Sequence, residues 1–173
     1  MARSQAVLTQ PRLAQSGQER LSCPSDLETL VQWLLRDLPS YTNRVIARAR
    51  LSSDLYLLVA GNPEYVPFEP SALQYSPTKS DTAPPQQVYF TSLERQYLTE
   101  RAEIRQSFHR LFLVKTETGW RLVALFSRLS GGEMAVPAPP QETSRGPIAE
   151  GIQLWLRDCR AGSLRSPDSS LSP

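Results

Sequence analysis

The sequence predicts an α+β domain in which a curved, mostly antiparallel sheet of four or five strands is packed by an N-terminal and a C-terminal helix. Three observations carry this. A capped run with apolar residues at helical spacing lies near the start. Three consecutive strand-like runs follow, joined by connections too short for crossovers, so neighbouring strands must be antiparallel. A second helical run lies near the end. The length of 173 residues suits one compact domain. A content of 40% hydrophobic and 21% charged residues is ordinary for a globular chain and supplies enough apolar side chain for a core.

The first helix is announced by Ser25-Asp26-Leu27-Glu28, a capping box that follows Pro24. Leu27, Leu30, Val31, Leu34, Leu35 and Leu38 recur at helical spacing, and Pro39 is expected to stop the helix. From Asn43 to Leu51, Val45, Ala47, Ala49 and Leu51 alternate with Arg44, Ile46, Arg48 and Arg50. This reads as a strand with one polar face, although the Ala and Arg content keeps a helix open. Leu55 to Ala60 is a short apolar strand closed by Gly61-Asn62-Pro63. The stretch 62–85 holds six prolines and reads as a loop lying on the domain, because Tyr65, Val66, Phe68 and Tyr75 would be costly to expose together.

The meander comes next: Val88 to Leu98, Ile104 to Val114 and Trp120 to Leu129. Gly119 is the natural left-handed residue of the second hairpin. A proline-rich connection from Gly131 leads to a last helix from about Pro147 to Arg160, with Pro147 suited to its first turn. Ile148, Ile152, Leu154, Trp155 and Leu156 give that helix an apolar face. The two helices share a small echo, Trp33-Leu34-Leu35-Arg36-Asp37 and Trp155-Leu156-Arg157-Asp158, best explained by two helices packing on one sheet with similar chemistry. The domain therefore spans 23–162, between a polar segment 1–22, disordered or processed, and a disordered tail 163–173.

Composition excludes more than it assigns. No run of 18 apolar residues exists, so the sequence contains no membrane-spanning helix. Two cysteines and one histidine are too few for the usual zinc sites, and neither metal nor cofactor is expected. The basic residues are 17 arginines and two lysines, but they are spread along the chain and nearly balanced by 17 acids. A net charge of +2 argues against nucleic acid as partner. The discriminating observation is whether Arg44, Arg48 and Arg50 form one exposed stripe with other arginines. No Gly-rich phosphate loop and no nucleophile elbow is present. His109 is the only candidate imidazole base, and its place mid-strand beside Phe108 favours a buried structural role. A non-catalytic binding or assembly protein, with another protein as partner, is the expectation. The alternative is a small enzyme or anion-binding domain with a pocket around Arg110 and His109. A deep pocket joining His109 to a carboxylate favours catalysis, and a flat apolar patch favours assembly.

The stretches CPSDLETLVQWLLRDLPSYTNRVIARAR, VYFTSLERQY, FHRLFLVKTETGWRLVALFSRL and GPIAEGIQLWLRDCRAG together resemble a family of cyanobacterial proteins with no assigned activity. The resemblance covers most of Cys23 to Gly162 and implies kinship without a reaction. It also implies an apolar export segment before Cys23, where this chain has a polar stretch. The sequence as given thus reads as cytoplasmic. Export to a periplasm or thylakoid lumen follows if an upstream signal is missing.

Two further expectations concern named side chains. Cys23 precedes the first helix and Cys159 lies near the end of the last, so a disulfide forms if the helices pack side by side; otherwise the two are unrelated thiols. With three- or five-residue hairpin loops, Phe108, Phe112, Val114, Trp120, Leu122, Ala124 and Phe126 share one face with Arg110. Glu94 is then the nearest structural partner for Arg110. The sharper alternative puts Arg110 at the floor of an aromatic-walled, anion-accepting pocket.

Overall fold

The protein is described here by a computed structural model covering residues 22–49, 55–67, 83–97, 101–130 and 139–164. The element order is α1 (Leu27–Ala49), β1 (Leu55–Val66), β2 (Gln86–Tyr97), β3 (Ala102–Thr116), β4 (Gly119–Leu129), β5 (Gln141–Glu142) and α2 (Pro147–Arg160). The five strands form one antiparallel sheet in the order β1-β2-β3-β4-β5, a continuous meander. The expected α+β architecture is therefore present. The expected tail from 163 and the loop residues Phe68 and Tyr75 lie largely outside the described residues, as does the N-terminal segment 1–21.

Helix α1 is capped by Asp26 rather than by Ser25. The backbone N–H of Thr29 donates to Asp26 Oδ1 at 2.8 Å, and this bond holds the Asp26 carboxyl below the usual aspartate value. Pro39 does not end the helix, and the strand expected over Asn43 to Leu51 is absent: residues through Ala49 are helical. A mid-helix proline costs about 3 kcal/mol. Here Leu38, Thr42, Val45 and Ile46 continue the buried stripe of Leu30, Val31, Leu34 and Leu35. Val45 and Ile46 are adjacent and both buried, which a one-faced strand forbids and a helix allows. Arg44 and Arg48 are exposed one turn apart, while Arg50 lies outside the described residues.

Strand β1 runs through the expected stop at Gly61-Asn62-Pro63. Asn62 takes φ 53°, a left-handed conformation that asparagine tolerates, and the pairing with β2 shifts between Gly61 and Glu64. A bulge at an edge strand thus replaces the turn, and Tyr65 and Val66 belong to the strand. Asn43 of α1 then covers that edge. Its side-chain amide donates to Leu57 O and accepts from Leu57 N, both at 2.8 Å, which docks the helix end on the sheet.

The hydrophobic core lies between one face of the sheet and the two helices. It joins Val88, Phe90, Leu111, Leu113, Trp120 and Leu125 to the α1 stripe and to Ile152, Trp155 and Leu156 of α2. The helices pack closely: a Cβ on Gly151 would stand 2.7 Å from Thr42 Oγ1. The sequence echo has a cause at this contact. Trp155 Nε1–H donates to Asp37 at 2.9 Å, and Tyr41 O–H donates to Asp158 at 3.0 Å, so each echoed aspartate anchors the opposite helix. Cys23 and Cys159 are joined by a disulfide, with Cα atoms 5.0 Å apart.

The second hairpin decides which residues share a face. Only Glu117 and Thr118 lie between the paired Thr116 and Gly119, and Gly119 has φ 108° as its position requires. Lys115 therefore faces Trp120, and Trp120 and Leu122 turn to the core, contrary to the expected face. An irregularity opposite Phe112/Leu113 realigns the strands, so Arg110 pairs with Phe126 and Phe112 with Ala124. In that half the expected set of Phe108, Arg110, Phe112, Ala124 and Phe126 does share the outer face.

Candidate functional site

The core face of the sheet changes character along its length. At one end the inward residues of β2, β3 and β4 are Val88 and Phe90, Leu111 and Leu113, Trp120 and Leu125. Two residues further along each strand they are Ser92 and Glu94, His109 and Ser107, and Ser127. Strand alternation keeps these polar residues pointing at the helices, where a cavity of about 330 Å³ opens. Its walls include Ile46, Leu55, Leu57, Pro147 and Ile148, its polar end carries Glu94, Ser107, His109, Ser127 and Thr143, and Arg128 borders it as well. Thr42 also borders it, with a buried hydroxyl that has no hydrogen-bond partner among the described residues.

His109 is 2% exposed and stacks on Phe90, with ring centroids 4.6 Å apart. Both ring nitrogens are engaged: Nε2 lies 2.8 Å from Ser92 Oγ and Nδ1 lies 2.8 Å from Ser127 Oγ. Burial pushes the imidazole pKa down to about 4, so the ring is neutral at neutral pH. Beyond the ring, Ser92 O–H donates to Glu94 Oε1 at 3.1 Å, and Ser127 and Thr143 hydroxyls lie 2.7 Å apart. Hydrogen counting orders this chain. Ser92 has one hydrogen, and the Glu94 carboxylate takes it, so the Nε2 contact must be donated by the ring. Nδ1 then accepts from Ser127, and the Thr143 hydroxyl supplies Ser127 Oγ or Leu125 O. One carboxylate thus sets the polarity of a five-residue network.

Glu94 is 7% exposed, and among the described residues no cation lies within ion-pair distance of it. Among the described residues its hydrogen-bond donor is the Ser92 hydroxyl. Serine hydrolase chemistry fits poorly. Ser92 is 1% exposed and does not border the cavity, and Nδ1 of His109 meets a serine rather than an orienting acid. Among the described residues there is also no cluster of three metal-ligating side chains.

The structure separates the residues expected to act together. His109 and Glu94 share the cavity through Ser92, but Arg110 projects from the opposite face of β3. The expected pairing of Arg110 with Glu94 is therefore wrong: they lie on opposite faces because Glu94 is opposite Arg105, whereas Tyr89 is opposite Arg110. Arg110 instead donates from Nε and Nη2 to Gln87 Oε1 at 2.9 and 2.6 Å. Sequence reasoning missed Ser92, Ser107, Ser127 and Thr143. The signal for two of them was present: Ser92 stands two residues from buried Phe90 and Ser127 two from buried Leu125, each on the same face of its strand, and Ser107 stands two from buried His109. No helix among the described residues is long and apolar enough to cross a membrane. Comparison with protein families, with curated proteins and with solved structures finds no match for this chain.

Proposed function

We propose that this is a non-catalytic binding domain whose interior cavity takes a small, largely apolar ligand with a cationic or hydrogen-bond-donating head. The observation that carries this is Glu94: a buried carboxylate that makes no ion pair among the described residues, at the polar end of an apolar-walled cavity. The head of the ligand would meet Glu94, and its apolar body would replace water against Ile46, Leu57 and Ile148. An anionic ligand is disfavoured here by the same carboxylate. The Cys23–Cys159 bridge supports an oxidising compartment as the place of action.

The small-enzyme reading has one observation in its favour, a cavity that joins His109 to a carboxylate. Glu94 would be its general base. The imidazole is a poor one, since both nitrogens are occupied and it takes a proton only near pH 4.

Thermal unfolding with hexylammonium, hexanol and hexanoate at neutral pH tests the binding reading. The amine and the alcohol are expected to raise the midpoint and hexanoate to leave it unchanged, with Glu94→Gln removing the advantage of the amine over the alcohol. Equal stabilisation by hexanoate, or none by any of the three, overturns it. Hydrolysis of p-nitrophenyl acetate that disappears in Glu94→Gln would favour the enzyme.

A further inference from the structure

The outer face of the sheet carries a second concavity, of about 440 Å³, bordered by Tyr89, Phe108, Arg110, Phe126 and Arg128, with Glu64 on the β1 side. We propose that this groove binds a small aromatic anion, a planar ring bearing a carboxylate or a phosphate, held between Arg110 and Arg128.

Charge is the first argument. Phe108 is opposite Arg128 and Arg110 is opposite Phe126, so the two arginines are diagonal neighbours on one face of β3 and β4. Like charges so placed repel and call for a counter-charge. Among the described residues neither guanidinium has a carboxylate within 4.0 Å, since the ion pairs are Arg36–Asp37, Arg101–Glu103 and Arg157–Asp158. Glu64 stands across the groove on β1, the strand separated from β3 by β2, and would exclude an anion from that side. The anionic head therefore belongs at the β3–β4 end.

Preorganisation is the second argument. Gln87 is 5% exposed, and its side-chain oxygen receives two N–H groups of Arg110. A neutral acceptor fixes the fork without neutralising it, which leaves the remaining N–H groups oriented and the charge available. The guanidinium carbon of Arg110 also lies 4.9 Å from the Phe112 ring centroid and 5.8 Å from that of Tyr89, and that of Arg128 lies 5.3 Å from Phe108. Both charges thus rest on aromatic surfaces that would also receive a flat ring.

Size and compartment favour a small ligand over nucleic acid. The net charge is only +2, and the disulfide belongs to an oxidising compartment.

The test is titration of the labelled protein with 2-naphthoate, 2-naphthyl phosphate and neutral 2-naphthol, followed by NMR at the arginine Nε–H and backbone amides of β3 and β4. Both anions are expected to bind, with the tighter one identifying the head group, and naphthol at least about tenfold more weakly. Arg110→Met and Arg128→Met should each weaken the anions by about tenfold, with unfolding midpoints showing that both variants fold. Arg110→Lys, which keeps the charge but loses the fork on Gln87, should fall between. Naphthol binding as tightly as the anions, anion binding that survives in the double Met variant, or shifts centred on Glu94, Ser107 and Ser127, which border the inner cavity and not the groove, overturn the proposal. The last outcome would place the ligand in the interior cavity, so the two readings fail separately.

Discussion

His109 and Arg110 are neighbours on one strand, and their surroundings have almost nothing in common. His109 points inward, 2% exposed, with both nitrogens satisfied by serines and its charge suppressed by burial. Arg110 points outward and leans on a glutamine and aromatic rings. The inner face uses polar groups sparingly and pairs the His109 network throughout, because an unpaired donor there costs about 1–3 kcal/mol; among the described residues only Thr42 Oγ1 and Trp120 Nε1 are buried side-chain atoms without a partner. The outer face leaves two cations without an ion pair among the described residues, at a modest cost that solvent screening lowers and a bound anion would remove. A strand period of two is enough to produce this contrast, since one residue of displacement exchanges core for solvent.

The inner face exists only while both helices stay on it, so breaking their link should have the largest effect. The disulfide spans a sequence separation of 136 residues, and a loop of that size restricts the unfolded chain by about 5 kcal/mol on the chain-entropy account. Urea unfolding of the reduced protein should show a loss approaching this size. A loss below about 1 kcal/mol would mean that the aspartate anchors and the core alone hold the helices.

A smaller effect should come from acid. Unfolded, His109 protonates near 6.5; folded, near 4. As pH falls through that window, the unfolded chain gains a proton that the folded one refuses. Stability is therefore full above about pH 6.5 and declines toward pH 4, by about 3 kcal/mol. Replacing the imidazole in His109→Gln should flatten the curve between these limits, whatever it does to absolute stability. A wild-type curve already flat there would show that the ring is not desolvated as its surroundings require.

The smallest effect should be the most decisive for the two faces. Arg110→Met is expected to cost about 1–2 kcal/mol, because it breaks no ion pair but takes both N–H donors from the buried Gln87 Oε1. In a double-mutant cycle with Glu94→Gln the coupling should lie within about 0.5 kcal/mol of zero. A strong coupling would mean that the residues meet after all.

Much of this fold was legible in the chain. The cap at Ser25-Asp26, the three runs of the meander, Gly119 at its turn and Pro147 at the head of α2 are local signals, and the structure keeps each within a residue or two. Pro39 and Gly61-Asn62-Pro63 are local signals too, and both were overridden. In each case neighbouring structure compensates: buried Thr42, Val45 and Ile46 carry the helix past its proline, and the pairing of β1 with β2 absorbs a bulge.

What the sequence by itself determined is the class of the fold, the alternating faces of each strand and the possibility of a bridge between Cys23 and Cys159. Period and propensity suffice for those. Tertiary structure alone decided that Glu94, Ser92, His109, Ser127 and Thr143 form one network. It also decided that Arg110 is excluded from it and that Arg128 joins Arg110 outside. Those outcomes depend on register between strands, and register here turns on a two-residue loop and one irregularity near Phe112. A single residue of slip would have sent every one of these side chains to the other face, and no local preference of the chain measures that slip.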